Sequence, residues 1–279
     1  MAPGISATAE ALQDFFPTLL GLLGRAAPCL VARMHAGSPD PRVALGALSV
    51  RFPLLLPLAA LGAAVGLRGH NTLTRGAGAR GALPSQGVWA LAFLYFAAMN
   101  LSAIACHCLA PRATALHRLA AALDVAFTGC SSACLVWASA AEAAPPSSWL
   151  AARRAWAAWL WAPIGAAALA GNLLFPAARL GLNEATYLGT TAAAVATLFA
   201  NEVLPAPPRS AEAGHVRAAA RAALAAAALA APLDPALRRA TGGWLGGLHS
   251  AFLGCDAAFA ALGAYLVAKR ARLAAAKGA

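Results

Sequence analysis

From residue 86 to residue 110 the sequence reads QGVWALAFLYFAAMNLSAIACHCLA, without one Asp, Glu, Lys or Arg. At about 1.5 Å per residue, a helix of this length crosses the roughly 30 Å hydrocarbon core of a bilayer. Leu, Phe and Trp carry this signal, because alanine is only weakly apolar in a membrane. The stretch therefore predicts a transmembrane helix.

The whole chain shares this apolar character. Of its 279 residues, 61% are hydrophobic and 11% are charged, and the mean hydropathy is +0.66. Soluble domains usually have about 45–50% apolar and about 25% charged residues. The composition argues against a soluble globular enzyme, and we expect the bilayer to be the solvent for most of the chain.

Apolar stretches of about 18 to 25 residues recur along the sequence, each long enough to span a bilayer. Breaks rich in Gly, Arg or Pro separate them, which predicts antiparallel neighbouring helices. The predicted fold class is all-α, a polytopic membrane protein with a bundle of seven transmembrane helices. The stretches are residues 43–67, 86–110, 116–140, 155–176, 184–204, 215–232 and 244–268.

The sequence divides into a tail, a membrane domain and a second tail. Residues 1–42 are rich in Ala and contain few acids, which predicts either an organelle transit peptide or an interfacial amphipathic helix. Residues 43–268 form the predicted membrane domain, and residues 269–279 a basic C-terminal tail. Basic residues are more numerous on the C-terminal side, which predicts a cytosolic or stromal C-terminus in an endomembrane or organelle membrane.

The positions of the charges indicate which partners to expect, and the positions of the cysteines indicate how those residues pack. The net charge of +11 is scattered between apolar runs and forms no basic stripe, so we expect membrane lipids as partners and no nucleic acid. Most cysteines lie within apolar segments, where cysteine behaves as a small hydrophobic residue. These are Cys106, Cys108, Cys130, Cys134 and Cys255.

Three polar side chains stand out within the predicted spans, where such groups are costly. His107 lies roughly 6 Å inside the end of the second span, and Asp124 roughly 9 Å inside the third span from the same side. His249 lies near the start of the last span, which begins on that side as well. Two imidazoles and one carboxylate at similar depth predict a zinc site.

The segments around these residues are short motifs. They read NLSAIACHC at 100–108, LHRL at 116–119, ALD at 122–124 and HSAF at 249–252. This pattern resembles the CREST superfamily of seven-helix membrane proteins, which includes alkaline ceramidases, adiponectin-receptor-like proteins, post-GPI-attachment hydrolases and hemolysin III. The family has Ser-x3-His in one helix, Asp at the start of the next and His-x3-His in the last.

The resemblance implies a zinc-dependent hydrolase that cleaves an amide or ester bond of a lipid, as ceramidases do. It implies that His107 and His249 are zinc ligands, that Asp124 is the general base and that Ser102 is the assisting serine. Two positions differ from the family pattern. Ser102 lies one residue before the expected serine position, and Leu253 stands where the last histidine is expected.

Two other functions stay open at this stage. The absence of the family serine and histidine also fits a non-enzymatic receptor-like or structural member, in which the polar trio is only hydrogen-bonded. An unrelated multipass transporter or channel, with His107, Asp124 and Asp256 along its pathway, fits the cost of placing such groups in a membrane.

Overall fold

The computed structural model describes residues 42–46, 48–75, 82–112, 114–144, 166, 170, 179–205, 210–230 and 234–278. The predicted N-terminal tail up to residue 41 lies outside these residues. So does the predicted span 155–176, apart from residues 166 and 170.

The described chain is mostly helical, with one antiparallel hairpin before the first helix. Two of the helices continue as a π-helical segment, a wider turn with hydrogen bonds between residues i and i+5. The elements are β1 (Arg42–Leu45), β2 (Leu48–Arg51), α1 (Leu55–Arg75), α2 (Gln86–Ala103, then π-helical over Ile104–Leu109), α3 (Ala115–Ala143), α4 (Arg179–Leu198, then π-helical over Phe199–Val203), α5 (Ala211–Ala230), α6 (Asp234–Ala240) and α7 (Gly247–Gly278).

Within the described ranges, three helices are long and apolar enough to cross a membrane. They are Gln86–Leu109, Ala115–Ala143 and Gly247–Ala276, and they correspond to the predicted spans 86–110, 116–140 and 244–268. The structure thus supports the membrane class, while the count of seven spans stays a prediction.

The first predicted span begins differently from the prediction. Residues 42–51 form the hairpin, with Val43 paired to Val50, and the helix begins only at Leu55. The turn contains Gly46 at φ +61°, a conformation that glycine adopts without steric cost. A helix starting at residue 43 is therefore wrong, because hydropathy counts apolar residues without distinguishing a strand from a helix.

The helices pack mostly in chain order, and the last returns to the first. α1 packs on α2, α2 on α3 and α3 on α4, while α7 packs on both α1 and α5. At the contact of α1 with α2, a Cβ on Gly66 would lie 2.7 Å from the Phe93 carbonyl oxygen, closer than real Cβ atoms approach. A small residue there lets the two backbones come together, as is common in membrane helix pairs.

α7 continues well past the predicted end of the last span. Its helix reaches Gly278, so most of the residues predicted as a basic tail form its last turns. Lys269, the first of them, is buried against side chains of two other helices, as described below.

Candidate metal centre

The end of α2 and the first half of α3 bring two of the predicted site residues together. His107 Nε2 lies 3.6 Å from Asp124 Oδ2, and Asp124 is buried with 5% of its surface exposed. The short connection between α2 and α3 ends at Thr114, whose hydroxyl accepts the His117 backbone N–H at 3.2 Å and caps α3. Two antiparallel helices joined by a short turn therefore present these side chains to each other.

Cys106 joins this pair. The Sγ atom of Cys106, a ring nitrogen of His107 and a carboxylate oxygen of Asp124 all lie within 4.8 Å of one another. Thiolate, imidazole and carboxylate are the side-chain groups that bind zinc in proteins. This group could hold a metal ion. From sequence, Cys106 was expected to be a small hydrophobic residue, although it directly precedes His107.

The end of α2 that carries Cys106 and His107 is a π-helical turn. Here the turn is wider, as shown by the Ala110 backbone N–H, which donates to the Ala105 carbonyl at 2.7 Å. Single π-helical turns within α-helices occur frequently at functional sites.

The hairpin holds this turn in place through Arg51, of which 4% is exposed. Its Nη2 donates to the Cys106 carbonyl at 2.7 Å and to the Ala110 carbonyl. The Nδ1 atom of His117 donates to the same Cys106 carbonyl at 2.9 Å. These bonds satisfy carbonyl groups at a helix end and place a positive charge beside the candidate ligands. Arg51 lies within residues 43–67, the first predicted span, and its contact with the end of α2 was not predicted.

His249 is buried at the start of α7, with 6% of its surface exposed. The Gly246 backbone N–H donates to its Nδ1 at 3.1 Å, and the edge of the Phe52 ring packs against it with centroids 6.3 Å apart. A neutral histidine that accepts at Nδ1 carries its proton on Nε2 and acts as a donor there. His249 does not belong to the group of ligand atoms around Cys106, so its role as a metal ligand stays a prediction.

α7 reaches the candidate ligands through an aromatic ring. Phe252 packs edge-on against His107, with ring centroids 6.5 Å apart. Leu253, at the position of the last family histidine, is 55% exposed. Ser102 is partly exposed on α2, whereas Ala103 is fully buried. Among the described residues, the side chain that joins His107 and Asp124 in the group of potential ligands is Cys106.

A second polar cluster lies far along α7 from His249 and was not foreseen. Lys269 Nζ lies 2.7 Å from Glu142 Oε2 and 2.9 Å from Glu202 Oε2, and Tyr265 donates its hydroxyl to Glu202. Trp89 Nε1 donates to Glu142 Oε1 at 2.9 Å. We call these five residues the Lys269 cluster; it links α2, α3, α7 and the π-helical end of α4.

Fold and site together define a helical protein in which, among the described residues, three helices are apolar enough to cross a membrane and two of them carry a potential metal-binding group. Comparison of the chain with family models, with curated proteins and with solved structures finds no match.

Proposed function

We propose that this protein is a membrane-embedded zinc hydrolase that cleaves amide or ester bonds of lipids. The observation that supports the proposal is the convergence of Cys106, His107 and Asp124, with their ligand atoms within 4.8 Å. Catalytic zinc sites hold three protein ligands and leave a fourth position for water or substrate. Bound zinc would lower the pKa of a water molecule and polarise the scissile carbonyl.

The charges of this group suit zinc in an apolar setting. One thiolate and one carboxylate balance the two positive charges of the ion, and a neutral imidazole adds none. Such balance matters because an uncompensated charge is costly away from water. The nearby Arg51 guanidinium, bonded to the Cys106 carbonyl, adds a positive charge that favours an anionic fourth ligand.

The proposal also accounts for the position where this chain differs from the family pattern. Leu253 leaves the resemblance one histidine short, and in this proposal Cys106 and Asp124 complete the ligand set with His107, so that Asp124 is a ligand instead of the general base. His249 then serves as a hydrogen-bond donor through Nε2, because its Nδ1 accepts the Gly246 N–H.

The depth of the group favours a lipid substrate. His107 lies two residues before the end of the apolar segment Gln86–Leu109, near the boundary between hydrocarbon and headgroups. The amide and ester bonds of lipids lie at that boundary, between the acyl chains and the headgroup.

Hydrolysis of lipid amides and esters by the full-length protein in detergent tests the proposal. We expect release of free fatty acid from at least one lipid class, and a loss on the order of 100-fold or more in His107→Ala. Chelation should abolish the activity, and added Zn²⁺ should restore it. His215→Ala is the matched control, because His215 lies on α5 and not among the candidate ligands. Equal activity in wild type and His107→Ala would contradict the proposal.

A further inference from the structure

Asn100 of α2 and Asp256 of α7 meet in the interior, against Gly62 of α1. Asn100 is fully buried, and Asp256 has 3% of its surface exposed. A Cβ on Gly62 would overlap both Asn100 Oδ1 and Asp256 Oδ1, so the two oxygens lie against the same point of α1. Three helices thus converge on one amide and one carboxylate.

The converging atoms are all hydrogen-bond acceptors. Asn100 Nδ2 donates to the Phe96 carbonyl at 3.0 Å, which fixes the amide with its oxygen turned toward Asp256. Within the described part of the chain, neither Asn100 Oδ1 nor either carboxylate oxygen of Asp256 has a hydrogen-bond partner. Buried polar atoms are nearly always paired, so three such acceptors side by side require a positively charged or donating species between them.

A bound cation explains this arrangement better than a proton does. A proton on one oxygen of Asp256 would satisfy that oxygen and Asn100 Oδ1, but it would leave the other carboxylate oxygen without a partner. A small hard cation coordinates several oxygens at once. Because the pair carries one negative charge, a monovalent ion makes it neutral, as a buried site favours.

We infer that Asn100 and Asp256 form a sodium-binding site between α1, α2 and α7. The site is distinct from the candidate metal centre. Asn100 lies seven residues before His107 on α2, and Asp256 lies seven residues after His249 on α7, so each is about 10 Å deeper along its helix. It also offers only oxygen atoms, which select hard cations, whereas Cys106 and His107 offer sulfur and nitrogen.

Thermal unfolding of the full-length protein in detergent tests the inference, with NaCl replaced by N-methylglucamine chloride at constant ionic strength. We expect Na⁺ to raise Tm by several degrees in a saturable manner, since a ligand of the folded state stabilises it. Asp256→Asn should abolish this rise, and Gly62→Ala should abolish it by displacing both oxygens. Glu212→Gln is the matched control, because Glu212 pairs with Arg272 at the surface and its loss should leave the Na⁺ effect unchanged.

Direct binding of radioactive ²²Na⁺ to the wild-type protein provides a second measurement, should the variants fail to fold. We expect saturable binding of about one ion per chain, displaced by unlabelled Na⁺. A wild-type protein that binds no ²²Na⁺ would overturn the inference. So would a stability that follows pH and ignores Na⁺, since Asp256 would then simply hold a proton. Retention of the full Na⁺ effect in Asp256→Asn would overturn it as well.

Discussion

Arg51 bonds to the Cys106 carbonyl but is not itself a candidate metal ligand. Its loss therefore tests whether the position of the ligands affects zinc binding when every ligand is still present. Arg51→Met keeps much of the apolar stem but removes the bonds to the Cys106 and Ala110 carbonyls, of which the Cys106 carbonyl keeps the bond from His117. A buried group left unsatisfied costs about 1–3 kcal/mol. We expect the affinity for zinc to fall by roughly 10-fold or more, the size reported for partners that orient metal ligands.

Competition with a fluorescent chelator measures that affinity, and Arg42→Met is the matched control. Arg42 pairs with Arg51 across the hairpin but is exposed, so its loss should leave zinc binding unchanged. An Arg51→Met protein with wild-type affinity would show that the hairpin does not hold the site.

Loss of Lys269 should destabilise the folded protein. Lys269→Met leaves Glu142 and Glu202 buried with no cation between them. Removing one partner of a buried ion pair costs about 3–5 kcal/mol. We expect a marked fall in Tm in detergent, and partial recovery in the double variant Lys269→Met/Glu202→Gln, which removes one of the two uncompensated charges. A single variant as stable as wild type would contradict the buried ion pair.

Which residues could be found from sequence depended on their position along the helices. His107 and Asp124 were predicted to lie at similar depth by counting residues from the turn between two spans, and their side chains lie 3.6 Å apart. Cys106 was missed, because a cysteine within an apolar segment usually behaves as a small hydrophobic residue. The Lys269 cluster was not predicted, since Glu202 and its partner Lys269 lie 67 residues apart in the sequence.

Among the structural elements, the π-helical turn at Ile104–Leu109 carries Cys106 and His107, so shortening it should affect zinc binding. Deleting Ala105 removes one residue from the wider turn and should restore α-helical spacing. Cys106 and His107 would then no longer face Asp124 together. We expect zinc binding to be lost while the helical content measured by circular dichroism is retained.

Deletion of Ala200 from the other π-helical turn is the matched control. It should weaken the Lys269 cluster, because Glu202 lies in that turn, and leave zinc binding intact. Zinc binding at wild-type affinity after deletion of Ala105 would show that the turn does not position the ligands.

Elements were predictable where the apolar run was long and uninterrupted. The helices at 86–110 and 116–140 needed nothing beyond hydropathy and the turn at Pro111. The hairpin at 42–51 was mistaken for helix, because its residues are apolar enough to extend the neighbouring span. The alternation of apolar and polar residues in LSVR at 48–51, together with Gly46, was the signal that could have identified the hairpin.

At the scale of the whole molecule, the composition of the chain was the strongest predictor. It indicated a helical membrane protein, and three described helices fit that class. The predicted orientation rests on counting the basic residues on each side of the membrane. Lys269 was counted as part of the C-terminal tail, but it lies in a buried ion pair with Glu142, so the count supports the orientation less strongly. Packing of α7 against α1 could not be predicted, since it joins segments about 200 residues apart.

The proposed hydrolase depends on one zinc ion bound by Cys106, His107 and Asp124. The most direct measurement is zinc per mole of full-length protein by plasma mass spectrometry, for wild type, Cys106→Ser and Cys108→Ser. Cys108 is equally buried and two residues away, but it lies outside the candidate ligands. We expect about one zinc in wild type and Cys108→Ser and a substantial loss in Cys106→Ser. No zinc in wild type, or the same zinc content in all three proteins, would contradict it.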